Sequence, residues 1–173
     1  LRDLCAGMRN QGRGRHAAWL NHEQLGYNYR MTEISAALGL VQMKRLDEIL
    51  LKRSQVAEMY RERLAEIPQV ILPVTPPHIK VSWFVYVIRF IPGINRDRVM
   101  QYLLEHGIDC RPYFPAIHLQ PFYQRTFGYQ KGSFPVTESI AASTLAIPFY
   151  NNLLESEIDY VAETLKRALK MPQ

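Results

Sequence analysis

From Thr32 to Ile67 the apolar residues Ile34, Leu38, Val41, Ile49, Val56, Tyr60, Leu64 and Ile67 recur at mostly three-to-four-residue steps or multiples of them, and Pro68 ends the run. This is the period of an amphipathic helix, and no other feature limits the fold as tightly. Thr32 suits an N-cap, Glu33 the positive end of the helix dipole, and Pro68 a stop. A helix over 32–67 would be about 50 Å long at 1.5 Å per residue, longer than most, so the pattern predicts a bend near Leu46-Asp47. An element of that length usually ties two domains or two subunits together.

The flanking segments read as shorter elements. Leu1 to Arg9 suits a short helix, and Asn10 to His16 a glycine-broken loop. After a proline-rich bend at Pro73 to Pro77, Val81 to Ile91 is dense in β-branched and aromatic residues and predicts a strand. Asn95 can cap a helix in which Val99, Leu103 and His106 share a face, with Gly107 placed for a left-handed C-cap. Ile108 to Phe114 reads as a second strand that Pro112 confines to an edge or a bulge. Pro135 opens a helix predicted to run to about Leu145. Ser156 starts a terminal helix with Ile158, Val161, Leu165 and Leu169 on one side. Strands separated by helices, after one long helix, predict an α+β fold in which helices cover one face of a short sheet.

Composition narrows the function classes. A chain of 173 residues with 47% hydrophobic content can bury a real core, which excludes disordered and collagen-like classes. Its longest apolar stretch, around Trp83 to Ile88, is far short of the roughly 20 residues of a membrane span, and no export signal is visible. A cytoplasmic protein that does not enter membranes is expected. Cys5 and Cys110 lie far apart without partners at zinc-ligand spacing, so neither a disulfide framework nor a metal site is expected. The excess of 21 Lys+Arg over 16 Asp+Glu favours anionic ligands without forming a polybasic tail. Gly12-Arg13-Gly14-Arg15-His16 lacks the interleaved aromatics of a nucleic-acid platform and reads as a loop, so no nucleic-acid partner is expected. With Ala17 the same run spells a GxGxxA dinucleotide fingerprint, but no strand precedes it. A GxSxG elbow, a Walker loop and a full GxGxxG are absent.

Two segments carry chemistry. Leu25 to Glu33 places Asn28 and Arg30 directly before a helix N-terminus, where free backbone N–H groups, the dipole and a forked cation can gather an anion. The competing reading is a local turn bond at Asn28 and an Arg30–Glu33 pair. Arg111 to Tyr123 follows a strand end and carries Arg111, Tyr113, His118 and Tyr123 on a proline-stiffened loop suited to a polar, partly anionic ligand. Here the competing reading is that His118 packs against Phe122 or Tyr123 without touching a ligand.

At these segments the sequence resembles the DegT/DnrJ/StrS family of pyridoxal 5′-phosphate-dependent aminotransferases of fold type I, which act mainly on nucleotide-linked keto-sugars. The matching stretches are Leu25 to Leu46, Gly107 to Tyr123, Leu145 to Pro148 and Glu157 to Val161. The resemblance covers the family's C-terminal portion: 1–30 as the tail of the large cofactor-binding domain, 31–67 as the linking helix, and 68–173 as the small α+β domain. It implies that Asn28 and Arg30 reach the cofactor phosphate of the neighbouring subunit, so that the enzyme is a homodimer. It likewise implies that His118, Tyr113 and Arg111 belong to the loop closing over the substrate, with glutamate as amino donor. None of the six lysines, Lys44, Lys52, Lys80, Lys131, Lys166 and Lys170, stands in the family's serine-x-x-x-x-lysine context. The Schiff-base lysine is therefore expected outside these residues, no catalytic residue is assigned within them, and the chain alone is expected to be inactive. A sugar dehydratase of the same family and a non-catalytic dimerisation or ligand-binding module are the alternatives.

Overall fold

The computed structural model describes residues 1–14 and 21–171, which divide into two compact units, Leu1–Leu46 and Asp47–Gln173. Arg15, His16 and Ala17 of the glycine–arginine run lie outside the described residues.

In the first unit, helix α1 (Arg2–Arg9) is followed by Asn10, which bridges antiparallel to Asn28, and α2 (Glu33–Lys44) completes it. Thr32 caps α2 as expected, its hydroxyl accepting from the Ser35 amide at 3.2 Å. No residue of α2 is buried; Ile34, Leu38, Leu40, Val41 and Met43 are all more than half exposed. The long helix expected over 32–67 is instead two helices, α2 and α3 (Leu46–Leu64), separated by Arg45. Arg45 has φ −99° and ψ 4°, and its amide turns back to the carbonyls of Gln42 and Met43, closing α2 rather than continuing the helical ladder. Charge marks the same point. Lys44 ends one helix, and Asp47 and Glu48 open the next, each sign complementing the local dipole.

The second unit is built on a four-stranded antiparallel sheet in the order β1 (Val70–Ile71), β2 (Tyr86–Phe90), β4 (Thr144–Ile147) and β3 (Arg111–Pro112). Strand β2 alternates as a half-buried strand should, with Tyr86, Ile88 and Phe90 buried between more open neighbours. Its start is later than expected, because Val81 to Val85 do not pair. Pro112 lies on the edge strand, where its missing N–H costs no ladder bond. Val56, Tyr60 and Leu64 of α3, Val99 and Leu103 of α4 (Arg96–Glu105) and Ile158, Val161 and Leu165 of α7 (Glu155–Lys170) join the inward residues of β2 and β4 in one core.

Three expectations need correction. Thr144 and Leu145 belong to strand β4, because helix α6 (Pro135–Ser143) stops earlier than predicted and Leu145 is drawn into the sheet centre. The 111–123 loop contains a 3₁₀ turn at Ile117–Leu119 and the start of α5 (Pro121–Phe127). The terminal helix is capped at Leu154, not Ser156, with the Glu157 carboxylate accepting from the Leu154 amide at 2.8 Å.

Helix α4 ends as its sequence predicts. Gly107 has φ +74°, the Ile108 amide reaches the Leu103 carbonyl and the Gly107 amide reaches that of Leu104, which together form a Schellman closure. A Cβ at Gly107 would meet nothing within 4 Å, so substitution changes backbone conformation alone. Gly107→Ala should therefore lower unfolding stability by about 1 kcal/mol, read as a reduced urea midpoint at unchanged m-value.

Candidate functional site

The segment before α2 is held by backbone contact that only glycine allows. A Cβ on Gly26 would lie 1.9 Å from the Gly12 amide nitrogen, so the backbones at Gly12 and Gly26 meet without a side chain between them. The Gln11 amide donates to Tyr27 (2.8 Å) and the Tyr29 amide to Arg9 (2.9 Å), while the Tyr27 and Tyr29 rings stack at 4.9 Å. On this ribbon Arg30 donates from Nε and Nη2 to Oδ1 of Asn10, at 3.1 and 2.8 Å. The alternative pairing of Arg30 with Glu33 does not form. Sequence reasoning missed Asn10 because the two residues are twenty positions apart and no spacing rule joins them.

Arg30 Nη1 makes no hydrogen bond among the described residues, and Arg30 lines a pocket of about 480 Å³ together with Arg9, Asn10 and Tyr29. Asn28 is exposed and its side-chain amide makes no hydrogen bond among the described residues, so the alternative turn bond is absent too. Arg13 is half-buried and lines the same pocket rather than an outer basic face. Three guanidinium groups, those of Arg9, Arg13 and Arg30, against the one carboxylate of Asp3 suit that pocket to an anion such as a phosphate, and Asn28 is not among its lining residues. The Thr32 hydroxyl occupies one of the helix-terminal N–H groups expected to serve an anion.

In the second unit the loop after β3 wraps an aromatic pocket of about 600 Å³ lined by Tyr113, Phe114, His118, Tyr123, Tyr129 and Phe134, among others. His118 is buried, 6% exposed, and its Nε2 lies 3.0 Å from Oε1 of Glu138. The same oxygen accepts from the amides of Gly132 (2.8 Å) and Phe134 (3.4 Å). The His118 hydrogen bond, aided by these amides and by the imidazole's charge, holds the Glu138 carboxyl below its ordinary value against the opposing effect of burial. The imidazole packs edge-on to Phe134 (4.9 Å between centroids) and Tyr129 (6.4 Å), not against Phe122 or Tyr123.

Phe114 has φ +52°, a backbone region disfavoured for a bulky side chain, and its ring stands 4.6 Å from that of Tyr113. The structure thus brings Tyr113 and His118 to one pocket. Arg111 is not among that pocket's lining residues; it is largely exposed on the edge strand and pairs with Asp109 at 3.2 Å. Glu138 was missed. An acid in the first turn of a helix reads as a dipole complement, and nothing in the sequence joins it to an imidazole twenty residues earlier.

The model of the DegT/DnrJ/EryC1/StrS aminotransferase family matches residues 1–166. The chain belongs to this family. Family members depend on pyridoxal 5′-phosphate, and the guanidinium groups that line the first unit's pocket suit the phosphate of such a group. Among relatives, EryC1 of Saccharopolyspora erythraea, named an erythromycin biosynthesis sensory transduction protein, is 34% identical over 146 residues, covering 84% of this chain and 39% of that protein. GDP-perosamine synthase of Vibrio cholerae is 29% identical over 169 residues, covering 95% of this chain and 44% of the synthase. DesV of S. venezuelae, solved in complex with a ketimine intermediate, superposes with a TM-score of 0.86 at 28% identity, over 99% of this chain and 45% of DesV. The chain thus spans about two fifths of the length of the DegT/DnrJ/EryC1/StrS proteins it matches. Among the described residues no helix is long and apolar enough to cross a membrane, and no cluster of His, Cys, Asp and Glu could hold a metal ion.

The Glu138 carboxylate ties acid stability to one hydrogen-bonded cluster. A carboxyl depressed in the folded state contributes stability that is complete above its unfolded value, ordinarily 4.5, and is lost as pH falls through the folded value. The stability of the chain to urea should therefore fall below pH 4.5, and Glu138→Gln should show a shallower fall over the same acid range.

Proposed function

We propose that this chain is the C-terminal part of a pyridoxal 5′-phosphate-dependent aminotransferase that moves an amino group from glutamate to a nucleotide-linked keto-sugar. The observation that carries this reading is Asn28: an exposed amide with no hydrogen bond of its own, two residues from a guanidinium that Asn10 holds in place. Residues 1–30 would form the tail of the large domain, 31–67 the link and 68–173 the small domain of a cytoplasmic homodimer. When bound, the cofactor supplies the carbonyl carbon that carries the amino group between donor and acceptor and the ring that takes up its electrons.

This chain's own residues bind and orient. The Asn28 amide donates to a phosphate oxygen of the cofactor held by the neighbouring subunit, and Arg30 neutralises part of its charge. Tyr113 and His118 present a phenol and an imidazole to the sugar nucleotide. Arg111, exposed beside Asp109, offers a cation to its diphosphate. The Schiff-base lysine is supplied from outside these residues. The name of the GDP-perosamine synthase supports a nucleotide-sugar product class for the relatives, and the aromatic pocket beside His118 supports a ligand with an extended apolar face.

Asn28→Ala, in the enzyme at the length of its relatives, should weaken cofactor affinity about tenfold to a hundredfold, the worth of one hydrogen bond to a charged group. Equilibrium dialysis measures it, and unchanged affinity would place Asn28 outside the cofactor site. His118→Ala should lower kcat/KM for the keto-sugar half-reaction by about tenfold or more while the glutamate half-reaction changes much less. Stopped-flow absorbance follows each half separately; equal losses in both would refute a substrate contact at His118.

A further inference from the structure

Glu138 stands outside every role assigned so far, yet it organises the aromatic pocket. One oxygen, Oε1, gathers the His118 imidazole from the loop after β3 and the amides of Gly132 and Phe134 from the turn before α6. Both segments line the pocket, one through Tyr113 to His118 and the other through Phe134. A carboxylate held below its ordinary pKa accepts only, so the ring nitrogen facing it must carry a proton. The other ring nitrogen, Nδ1, makes no hydrogen bond among the described residues.

We propose that Glu138 is a positioning residue: it fixes His118 with the Nε2 proton directed at its carboxylate, leaves Nδ1 as the ring nitrogen open to a ligand, and clamps together the two segments that line the aromatic pocket. The imidazole thereby meets a ligand with one defined nitrogen, as a lone pair when neutral and as an N–H donor when charged. A free imidazole could offer either nitrogen. The value of the clamp is that the side chain is already oriented before ligand arrives, so its rotamer entropy is not lost on binding. The step from Nδ1 to a sugar nucleotide rests on the function proposed above; the tautomer and the clamp do not.

The test uses the chain without ligand. In a long-range ¹H–¹⁵N spectrum at neutral pH, His118 should appear with its proton on Nε2, and Glu138→Ala should erase that preference. Trypsin reads the clamp at Lys131, which is exposed beside Gly132. Cleavage there under native conditions should rise about tenfold in Glu138→Ala, because losing a charge-assisted hydrogen bond raises the open population by that order. Glu138→Gln keeps a carbonyl oxygen able to accept from all three donors, and should restore both the Nε2 proton and slow cleavage. A residue that only added global stability would change cleavage at all sites together and leave the tautomer alone, and that result would overturn the proposal. So would a wild-type His118 protonated on Nδ1 alone. Separately, failure of His118→Ala to affect the keto-sugar half-reaction would remove the ligand while leaving the tautomer and the clamp standing.

Discussion

Tyr60 is wholly buried, and a phenol removed from water must find an acceptor. It donates to the Pro148 carbonyl at 2.8 Å, and burial pushes its ionisation far above the ordinary range, so the hydroxyl remains a donor. That bond fastens α3 to the end of β4, while the Tyr60 ring stacks on Tyr86 of β2 at 5.1 Å. Helix and central strands are thus fixed through one side chain. From β4 the order propagates outward: Leu145 pairs with Pro112 of β3, and the Thr144 hydroxyl donates to the Tyr113 carbonyl at 3.4 Å. Arg96 adds a donor to the Thr144 carbonyl at 2.8 Å. The loop that bears His118 leaves a strand whose place is set in this way.

Both candidate sites use the same physical device, a side-chain oxygen that immobilises a nitrogen-bearing donor. Asn10 holds the Arg30 guanidinium through two donors, and Glu138 holds the His118 imidazole through one. The difference lies in charge. A neutral amide leaves the full positive charge of Arg30 available to a ligand, whereas a carboxylate offsets any charge on His118. The first arrangement suits capture of a phosphate, the second orientation of a hydrogen-bonding contact.

Much of the fold was legible because its signals are local. Thr32, Asn95, Gly107 and Pro135 act on backbone groups within a few residues, so each could be read in place. Strand β4 was not, because Thr144–Ile147 follows α6 with no Gly or Pro between them, and only pairing with β2 and β3 pulls it into the sheet. The break at Arg45 was foreseen within a residue or two as a bend, and the charges around it explain why it is a full stop. In the sites, the residues carried over by resemblance could be named, but their holders could not. Asn10 and Glu138 each act across twenty positions, a distance at which sequence pattern carries no information about contact.

Helix α2 leaves an apolar face uncovered within these residues. Ile34, Leu38, Leu40, Val41 and Met43 lie open to water on a helix that buries none of its own residues. A surface of this kind favours association as molecules are concentrated, since contact removes apolar area from solvent without any refolding. A melting temperature recorded on this chain should therefore vary with protein concentration, reporting self-association and unfolding together, and mild detergent at low protein concentration should separate the two.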